Sequence, residues 1–436
     1  MEENQSFLQK NKKEVIIISI VVIFLIVVGI LFFLNNKKQT TNTPGKIVAK
    51  GEGTSLYSRG NNSDNSDDEN QNQTNDNYDG NYYSEGLINV WDRPVAGYGF
   101  YYKNNNPVLI FVDSDTGFLY QKNLNEPTST PIQITNSSFP NIRKAYFLDI
   151  YGEKKVILQY SANNTIKSLI ASIPDYFSLP NELKNIKTLD NNITNISISL
   201  DSTKALYIVT KNKTTGNKKD LFSDWYLIDG TSNTKIYSSE ISTWKSQITD
   251  SGKIYVYNND TSLEKSPLYK FNTDTESLKQ IYYGHIGSSY LVNNSSIMTS
   301  ILTNNGLRLY KNENFGGNYF EDSSLSELNF NSLSNKCFLS NVIFCGAPKE
   351  IKNYDIRLPD AWYQGLTSWQ DDIFIVNKDY PKGQLFFDLN IDGGVDNKFD
   401  IKDLKVNKNE DHLLFINKND GSLWSINIGN ILESGD

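Results

Sequence analysis

A hairpin pattern that recurs along the chain restricts the fold more than any other feature of the sequence. The segments "LIFVDSDTGFLYQKNL" (109–124) and "FINKNDGSLWSINI" (415–428) both contain an apolar strand, a turn of Asp, Asn and Gly, and a second strand. Similar segments lie between them, such as "LIDGTSNTKIY" (227–237) and "KFNTDTESLKQI" (270–281). Because Asn, Asp and Gly tolerate the left-handed backbone that tight hairpins require, each segment predicts a β-hairpin.

The spacing of these hairpins predicts the architecture. Units of several short strands start near residues 95, 142, 193, 243, 288, 332 and 401, so most steps are 45 to 51 residues and one is longer. A recurrence of this length is typical of a β-propeller. We therefore expect an all-β fold, a propeller of seven blades with four antiparallel strands each, with six or eight blades as alternatives. A two-sheet sandwich is the rival fold, but it would not usually need this many strands.

The last unit shows three strands, "IKDLKVN", "HLLFINK" and "LWSINI". A propeller must join its first and last blades, because open strand edges invite aggregation. We expect "LINVW" (87–91), which precedes the first unit, to supply the missing outer strand of the last blade. The propeller would then extend over residues 87–432.

The N-terminal part of the chain predicts a membrane anchor. Residues 15–34 are twenty residues without a charge, enough to cross the roughly 30 Å hydrocarbon core as a helix. The run is longer than the apolar region of a signal peptide and no Ala-x-Ala site follows it, so we expect an uncleaved transmembrane helix after a short tail, residues 1–14. The lipid bilayer is thus the first expected partner.

Lysines flank residues 15–34 on both sides in nearly equal number, so the positive-inside rule does not decide the orientation. Long domains translocate largely regardless of charge, which favours a single-pass protein of the cell membrane with its C-terminal domain outside the cytoplasm. Residues 35–86 are polar, with seven acidic and no basic residues from Gly60 to Gly86. Such a segment predicts a disordered tether, with a specific acidic binding tail as the alternative.

The body of the chain resembles the WD40-like, TolB-type propeller repeats, and in particular single-pass bacterial membrane proteins that carry such a propeller after an anchor and a tether. The resemblance rests on "PVAGYGFYY" and "VDSDTGFLYQ" at the front, and on "LPDAWYQG" (358–365) and "NKNDGSLWSINI" (417–428) at the back. It covers residues 87–430, strongly at both ends and weakly in the middle. It implies a scaffold for binding, with no set of catalytic residues.

Cys337 and Cys345 are the two cysteines of the chain, in "KCFLSNVIFCGAP". A hairpin around "LSNV" would place them opposite each other on adjacent strands. In an exported domain this arrangement favours a disulfide, with two buried free thiols as the alternative. A zinc site is disfavoured, because no His or second Cys pair lies nearby in the sequence.

The segment "DLNIDGGVDNKFD" (388–400) resembles a Ca²⁺ loop in its spacing. The candidate ligands, at positions 1, 3, 5 and 9, are Asp388, Asn390, Asp392 and Asp396. Position 12 is Phe399 where an EF-hand has a bidentate Glu, and the flanking segments predict strands instead of helices. The alternative is a polar turn between blades, so we expect no cofactor apart from this weak calcium candidate.

Asp360, Trp362, Tyr363 and Trp369 cluster in "DAWYQGLTSWQDD" and are the candidate binding residues. Aromatic side chains beside polar groups on a loop can stack on a sugar or hold a peptide. The alternative is that the rings pack as core between neighbouring blades, with Asp360 holding the turn after Pro359.

Composition and motifs exclude several classes of function. With a net charge of −8 and a pI near 5.1, the chain lacks the basic surface that nucleic-acid binding requires. None of the common nucleophile, metalloprotease or phosphate-loop motifs occurs. His285 has Ser288 close by in sequence, but a catalytic triad depends on a geometry that proximity in sequence does not supply.

Two hypotheses follow for the function. The first is an extracytoplasmic propeller that serves as a binding or scaffold module for a protein or glycan partner, without catalysis. The second is a cell-envelope enzyme that acts on polysaccharide through carboxylates at the central channel. A cluster of Asp and Glu at the channel mouth would favour the enzyme, and a polar channel with an aromatic rim would favour the binding module.

Overall fold

The computed structural model describes residues 86–429 except 104–105, 175–179, 216–217, 231, 259, 350, 352–356 and 390–397. Within these ranges no helix is long and apolar enough to cross a bilayer. The predicted transmembrane helix (15–34) and the predicted tether up to residue 85 lie outside the described residues, as do the calcium candidates Asn390, Asp392 and Asp396.

The described chain folds into seven antiparallel sheets of four strands, the blades of a propeller. Blade 1 contains β2 (Val95–Lys103), β3 (Asn106–Asp113), β4 (Leu119–Asn123) and β5 (Ile132–Gln133). Blade 2 contains β6 (Ile142–Ile150), β7 (Glu153–Ala162), β8 (Thr165–Ser172) and β9 (Lys184–Thr188). Blade 3 contains β10 (Ile193–Ile198), β11 (Lys204–Thr215), β12 (Lys218–Asp229) and β13 (Ser232–Ser239).

The remaining blades repeat this order along the chain. Blade 4 contains β14 (Trp244–Ile248), β15 (Ile254–Asn258), β16 (Leu268–Asn272) and β17 (Ser277–Tyr282). Blade 5 contains β18 (Ser289–Val292), β19 (Ile297–Thr303), β20 (Gly306–Asn312) and β21 (Ser326–Glu327). Blade 6 contains β22 (Cys337–Leu339), β23 (Ile343–Pro348), β24 (Asp371–Val376) and β25 (Gln384–Phe387). A short helix, α1 (Asp360–Tyr363), lies between β23 and β24.

Blade 7 joins the two ends of the propeller. It contains β26 (Ile401–Val406), β27 (His412–Asn417), β28 (Leu423–Asn427) and, as its outer strand, β1 (Leu87–Trp91). β1 pairs antiparallel with β28, with Leu87 opposite Ile426. The prediction of seven blades closed by residues 87–91 is therefore confirmed, and the two-sheet sandwich is excluded.

The repeated hairpin turn has the same hydrogen bonds at both ends of the propeller. Gly117 N–H donates to Asp113 O at 2.9 Å, and Gly421 N–H donates to Asn417 O at 2.8 Å. The two glycines have φ angles of 74° and 78°, in the left-handed region that favours glycine. The turn residues thus have a defined backbone role in the first and last blades.

Apolar side chains fill each of the seven interfaces between neighbouring blades. The first strands of successive blades contact one another, so they surround the central axis. Gly97 and Gly99 of β2 permit a close approach to β6, because a Cβ atom there would lie 2.1 Å from Ala145 O and 2.6 Å from Phe147 Cβ. Lys405 of β26 donates to Tyr98 O of β2 at 2.8 Å, which closes the ring between blades 7 and 1.

Strand direction defines the two faces of the propeller. Because the strands alternate in direction, each blade's first strand begins at the face where its second strand ends. We call this the upper face. It carries the segments between second and third strands, including 260–267 of blade 4 and 357–370 of blade 6, and the connections between blades, including 283–288.

Candidate functional site on the upper face

Residues 357–370, which we call the cap segment, connect blade 6 to other blades of the upper face. The carboxylate oxygen Oδ2 of Asp360 accepts a hydrogen bond from Ser262 N–H of blade 4 at 2.6 Å. Ser368 Oγ donates to Asn419 Oδ1 of blade 7 at 2.6 Å. The segment is therefore fastened at two distant points of the ring, and α1 is held between them.

The cap segment buries its two tryptophans. Trp362 and Trp369 are 5% and 7% exposed, and they pack with Leu307, Leu333 and Leu358. The indole N–H of Trp362 donates to the carboxylate of Asp400, at 2.9 Å from one oxygen and 3.1 Å from the other. In this conformation neither indole presents a face to a ligand, and both rings act as core between the cap and the blades.

A buried lysine lies beneath these rings. The Nζ atom of Lys336 lies 2.6 Å from Asp371 Oδ2 and 2.7 Å from Asp400 Oδ1, and all three side chains are fully buried. The same Nζ atom lies 4.4 Å from the ring centroid of Trp369 and 5.0 Å from that of Trp362. Lys418 adds a second cation, with its Nζ 3.2 Å from Asp400 Oδ2.

The two carboxyl groups of this network differ in proton affinity. Burial raises the pKa of Asp371 to about 6, because Lys336 offsets only part of the desolvation and Asp400 adds a like charge. Burial also opposes the ionisation of Asp400, but its bonds to Lys336 and Trp362 hold its pKa below the ordinary value. Sequence reasoning missed this network because its members come from separate turns and strands of blades 6 and 7 and follow no spacing rule.

Tyr363 connects the cap segment to blade 4. Its hydroxyl donates to Asp260 Oδ2, and its ring centroid lies 4.6 Å from the Nζ atom of Lys245. Lys245 belongs to β14, a first strand, and pairs with Asp260 Oδ1. Burial of the hydroxyl, with the nearby carboxylate of Asp260, raises the pKa of Tyr363 well above its ordinary value. As a whole residue Tyr363 is the most exposed of the three cap aromatics, at 36%.

Three exposed aliphatic side chains project from upper-face segments that contact one another. Leu263 is 67% exposed, Ile286 is 40% exposed and Leu366 is 73% exposed. Their segments are joined by the hydrogen bond from Gly287 N–H to Thr261 O at 2.9 Å and by the contact of Asp360 with Ser262. The upper face between blades 4 and 6 therefore combines a fixed backbone with exposed apolar groups.

The acidic residues of the seven first strands are few. These strands, all of whose residues are described, contain two carboxylates, Asp149 and Asp403, against six basic residues: Lys103, Arg143, Lys144, Lys245, Lys402 and Lys405. Asp403 lies at a bulge of β26 and has a φ angle of 52°. The innermost strands thus lack a cluster of carboxylates.

Asp388, the described member of the calcium candidate, already contacts a cation. Lys349 Nζ lies 2.6 Å from Asp388 Oδ2 and 3.7 Å from Asp372 Oδ2. Burial and the neighbouring carboxylate of Asp388 raise the pKa of Asp372 to about 7. Among the described residues, no three His, Cys, Asp or Glu side chains are grouped so that they could hold a metal ion. The calcium site stays a prediction.

The two cysteines face each other in blade 6. Cys337 of β22 lies directly opposite Cys345 of β23, with Cα atoms 4.0 Å apart. Their sulfur atoms lie 2.11 Å apart, at the distance of a covalent bond. Formation of this disulfide in the protein depends on the compartment and stays a prediction.

His285 and Ser288 do not form a nucleophile and base. Ser288 Oγ accepts a hydrogen bond from the backbone N–H of His285 at 2.9 Å. The ring Nε2 atom of His285 faces Asp322 instead, 3.0 Å from each carboxylate oxygen. The structure thus assigns the two side chains to different contacts.

Comparisons with known proteins give likeness of fold alone. No family model matches the sequence, and no curated protein sequence matches it significantly. The tricorn protease structure has 9% identity and a TM-score of 0.46 over 80% of this chain, which spans 34% of that chain. The propeller domain of the Trilobed protease from Pyrococcus furiosus has 15% identity and a TM-score of 0.37, over 62% of this chain and 77% of that chain. TolB from Acinetobacter baumannii has 9% identity and a TM-score of 0.36, over 75% and 78%.

Proposed function

We propose that the protein is a membrane-anchored binding or scaffold module whose propeller lies outside the cytoplasm. Residues 15–34 insert in the bilayer, and the upper face of the propeller binds a protein partner. The observation that carries the binding role is the set of exposed aliphatic side chains, Leu263, Ile286 and Leu366, on segments fixed to one another. Exposed apolar patches mark protein interaction sites when their side chains lie close together, and the hydrogen bonds between these segments hold the three side chains on one face.

The second hypothesis, an enzyme that acts through paired carboxylates, has less support. A glycosidase needs one carboxyl group that donates a proton and a second that is free to act as base or nucleophile. Three described carboxylates at or beneath the cap segment, Asp260, Asp371 and Asp400, are each buried against a lysine, and a fourth, Asp360, accepts a hydrogen bond from Ser262 N–H. The first three are held as structural ion pairs, which favours a binding role for this face.

Protease treatment of intact cells tests the proposed location. We expect the propeller to be lost from intact cells when it is followed with an antibody, because an extracytoplasmic domain is accessible to the protease. Loss would also support the Cys337–Cys345 disulfide, since exported proteins fold in an oxidising environment. Protection until the membrane is breached would place the propeller in the cytoplasm and contradict the proposal.

Photo-crosslinking tests the proposed binding face. With p-benzoylphenylalanine in place of Leu366, we expect a defined protein adduct on cells. The same substitution at Tyr151, which is 90% exposed in the turn between β6 and β7 on the opposite face, is the matched control. Leu263→Asp, on a different segment of the upper face, should abolish the adduct. Equal adducts from both positions, or an adduct that Leu263→Asp leaves unchanged, would contradict a binding site on the upper face.

A further inference from the structure

A cavity of about 380 Å³ opens between blades 4 and 5, beside the upper-face segment 283–288 that carries Ile286. Its volume lies at the lower end of the range of small-ligand sites. Aliphatic side chains of Ile301, Leu302 and Leu325 form one part of its lining. The polar part comprises His285, Thr303, Asn304, Tyr310 and Asp322.

The carboxylate of Asp322 is fixed in orientation and still open to solvent. Its Oδ1 atom accepts hydrogen bonds from Tyr282 Oη at 2.7 Å and from His285 Nε2 at 3.0 Å. The side chain nevertheless remains 63% exposed. A carboxylate can accept about four hydrogen bonds, so capacity remains for a donor from a ligand.

The imidazole of His285 forms part of the same lining. Its Nε2 atom faces both carboxylate oxygens of Asp322, so in the neutral ring Nε2 carries the proton and donates to this carboxylate. The exposed carboxylate of Asp322 favours a positively charged hydrogen-bond donor and disfavours anions. The aliphatic part of the lining favours a ligand with a hydrocarbon stem, because burial of that stem is favourable.

Within the same protein, Lys336 shows how a positively charged donor on a hydrocarbon stem is held. Its Nζ atom contacts two carboxylates and the faces of two tryptophans, while its stem is fully buried. The cavity offers a carboxylate, the Tyr310 ring and aliphatic side chains in an open site. We propose that this cavity binds an aliphatic primary ammonium group, either a lysine side chain of a protein or a free alkylamine.

Ligand-observed NMR on the full-length chain in detergent micelles tests this proposal. The probes are Nα-acetyl-lysine methylamide and n-butylamine, with Nα-acetyl-norleucine methylamide as the uncharged control of similar shape. We expect saturable binding of at least one amine with a dissociation constant of about 1–10 mM, and much weaker binding of the norleucine probe. Binding of both amines indicates a site open to free amines, whereas binding of the lysine probe alone indicates a peptide-borne side chain.

Variants of Asp322 and its neighbour make the test specific. Asp322→Asn should weaken amine binding about tenfold, because it removes the charge and keeps the shape. Glu321→Gln makes the same change of charge at the adjacent exposed residue, which does not line the cavity, and should leave the affinity within about twofold. Leu325→Arg places a cation in the cavity and should abolish binding, with circular dichroism to verify that each variant is folded.

Three results would overturn the proposal. They are the absence of saturable amine binding, equal binding of the norleucine probe, and an affinity that Asp322→Asn leaves unchanged in a folded protein. Failure of this test would leave the upper-face adduct unaffected, because that adduct depends on Leu263 and Leu366.

Discussion

Lys336 is the residue whose removal we expect to cost the most stability. Its ammonium lies between Asp371 and Asp400 with no solvent exposure, so Lys336→Met would leave two carboxylates buried without their cation. Breaking a buried ion pair from one side typically costs about 3–5 kcal/mol. We expect a loss of this size in the free energy of unfolding measured with urea.

The matched control for Lys336→Met is Lys378→Met, because Lys378 is exposed in the turn after β24. Surface substitutions of this kind usually change stability by less than about 0.5 kcal/mol. Adding Asp371→Asn and Asp400→Asn to Lys336→Met should recover part of the loss, since the uncompensated charges are removed. Equal effects of Lys336→Met and Lys378→Met would contradict a structural role for the network.

The raised pKa of Asp372 predicts that the stability of the protein depends on pH. Its pKa is raised from 3.8 to about 7 in the folded protein, so the native state keeps a proton that the unfolded chain has lost. The free energy of unfolding should therefore fall as the pH rises from about 4 to about 7, by at most about 1.4 kcal/mol per pH unit from this group. Above that range the contribution is constant.

Asp372→Asn isolates this contribution. We expect the stability of the wild type relative to Asp372→Asn to decrease steadily across that pH range in urea titrations. Asp371, whose pKa is also raised, contributes in the same direction but is present in both proteins. Asp379→Asn, at an exposed position, is the control and should reproduce the wild-type profile. A constant difference between wild type and Asp372→Asn would show that the proton is not held in the native state.

At the scale of elements, the disulfide between β22 and β23 would constrain the unfolded chain. The cysteines are 8 residues apart in sequence, and closing a loop of this length is worth about 2–3 kcal/mol in the chain-entropy account. The pair Cys337→Ser/Cys345→Ser should lose this amount in urea unfolding under oxidising conditions. A reductant should lower the stability of the wild type and leave the variant unchanged, and labelling of unreduced, denatured protein with maleimide would contradict the disulfide.

The elements themselves could be predicted from the sequence to a large extent. Six of the seven blades begin within one residue of the expected position, because the turn residues recur with each blade. Blade 6 begins at Cys337 instead of near 332, since the 3₁₀ turn Ser334–Lys336 precedes its first strand. The burial of Trp362 and Trp369 could not be decided, because local sequence does not show that Lys336 and Asp400 lie beneath them.

At the scale of the whole molecule, β1 closes the ring. It pairs with β28 of blade 7, and Trp91 packs on Phe111 and Tyr120 of blade 1, with ring centroids 5.3 and 4.6 Å apart. The indole N–H of Trp91 donates to Asp113 Oδ2 at 2.9 Å. This strand therefore belongs to blade 7 by its hydrogen bonds and contacts blade 1 by its side chains. It thus holds the first and last blades of the propeller together.

Deletion of residues 87–91 should consequently destabilise the entire ring. The deletion removes the burial of Val90 and Trp91 and exposes the edge of β28, a loss of about 5 kcal/mol from apolar area alone. For a domain of this size we expect the melting temperature to fall by about 5–10 °C, with aggregation through the open edge. Deletion of residues 81–85, an equally long segment before β1, is the control and should leave the melting temperature unchanged. An unchanged melting temperature after deletion of 87–91 would mean that blades 1 and 7 hold together without their shared strand.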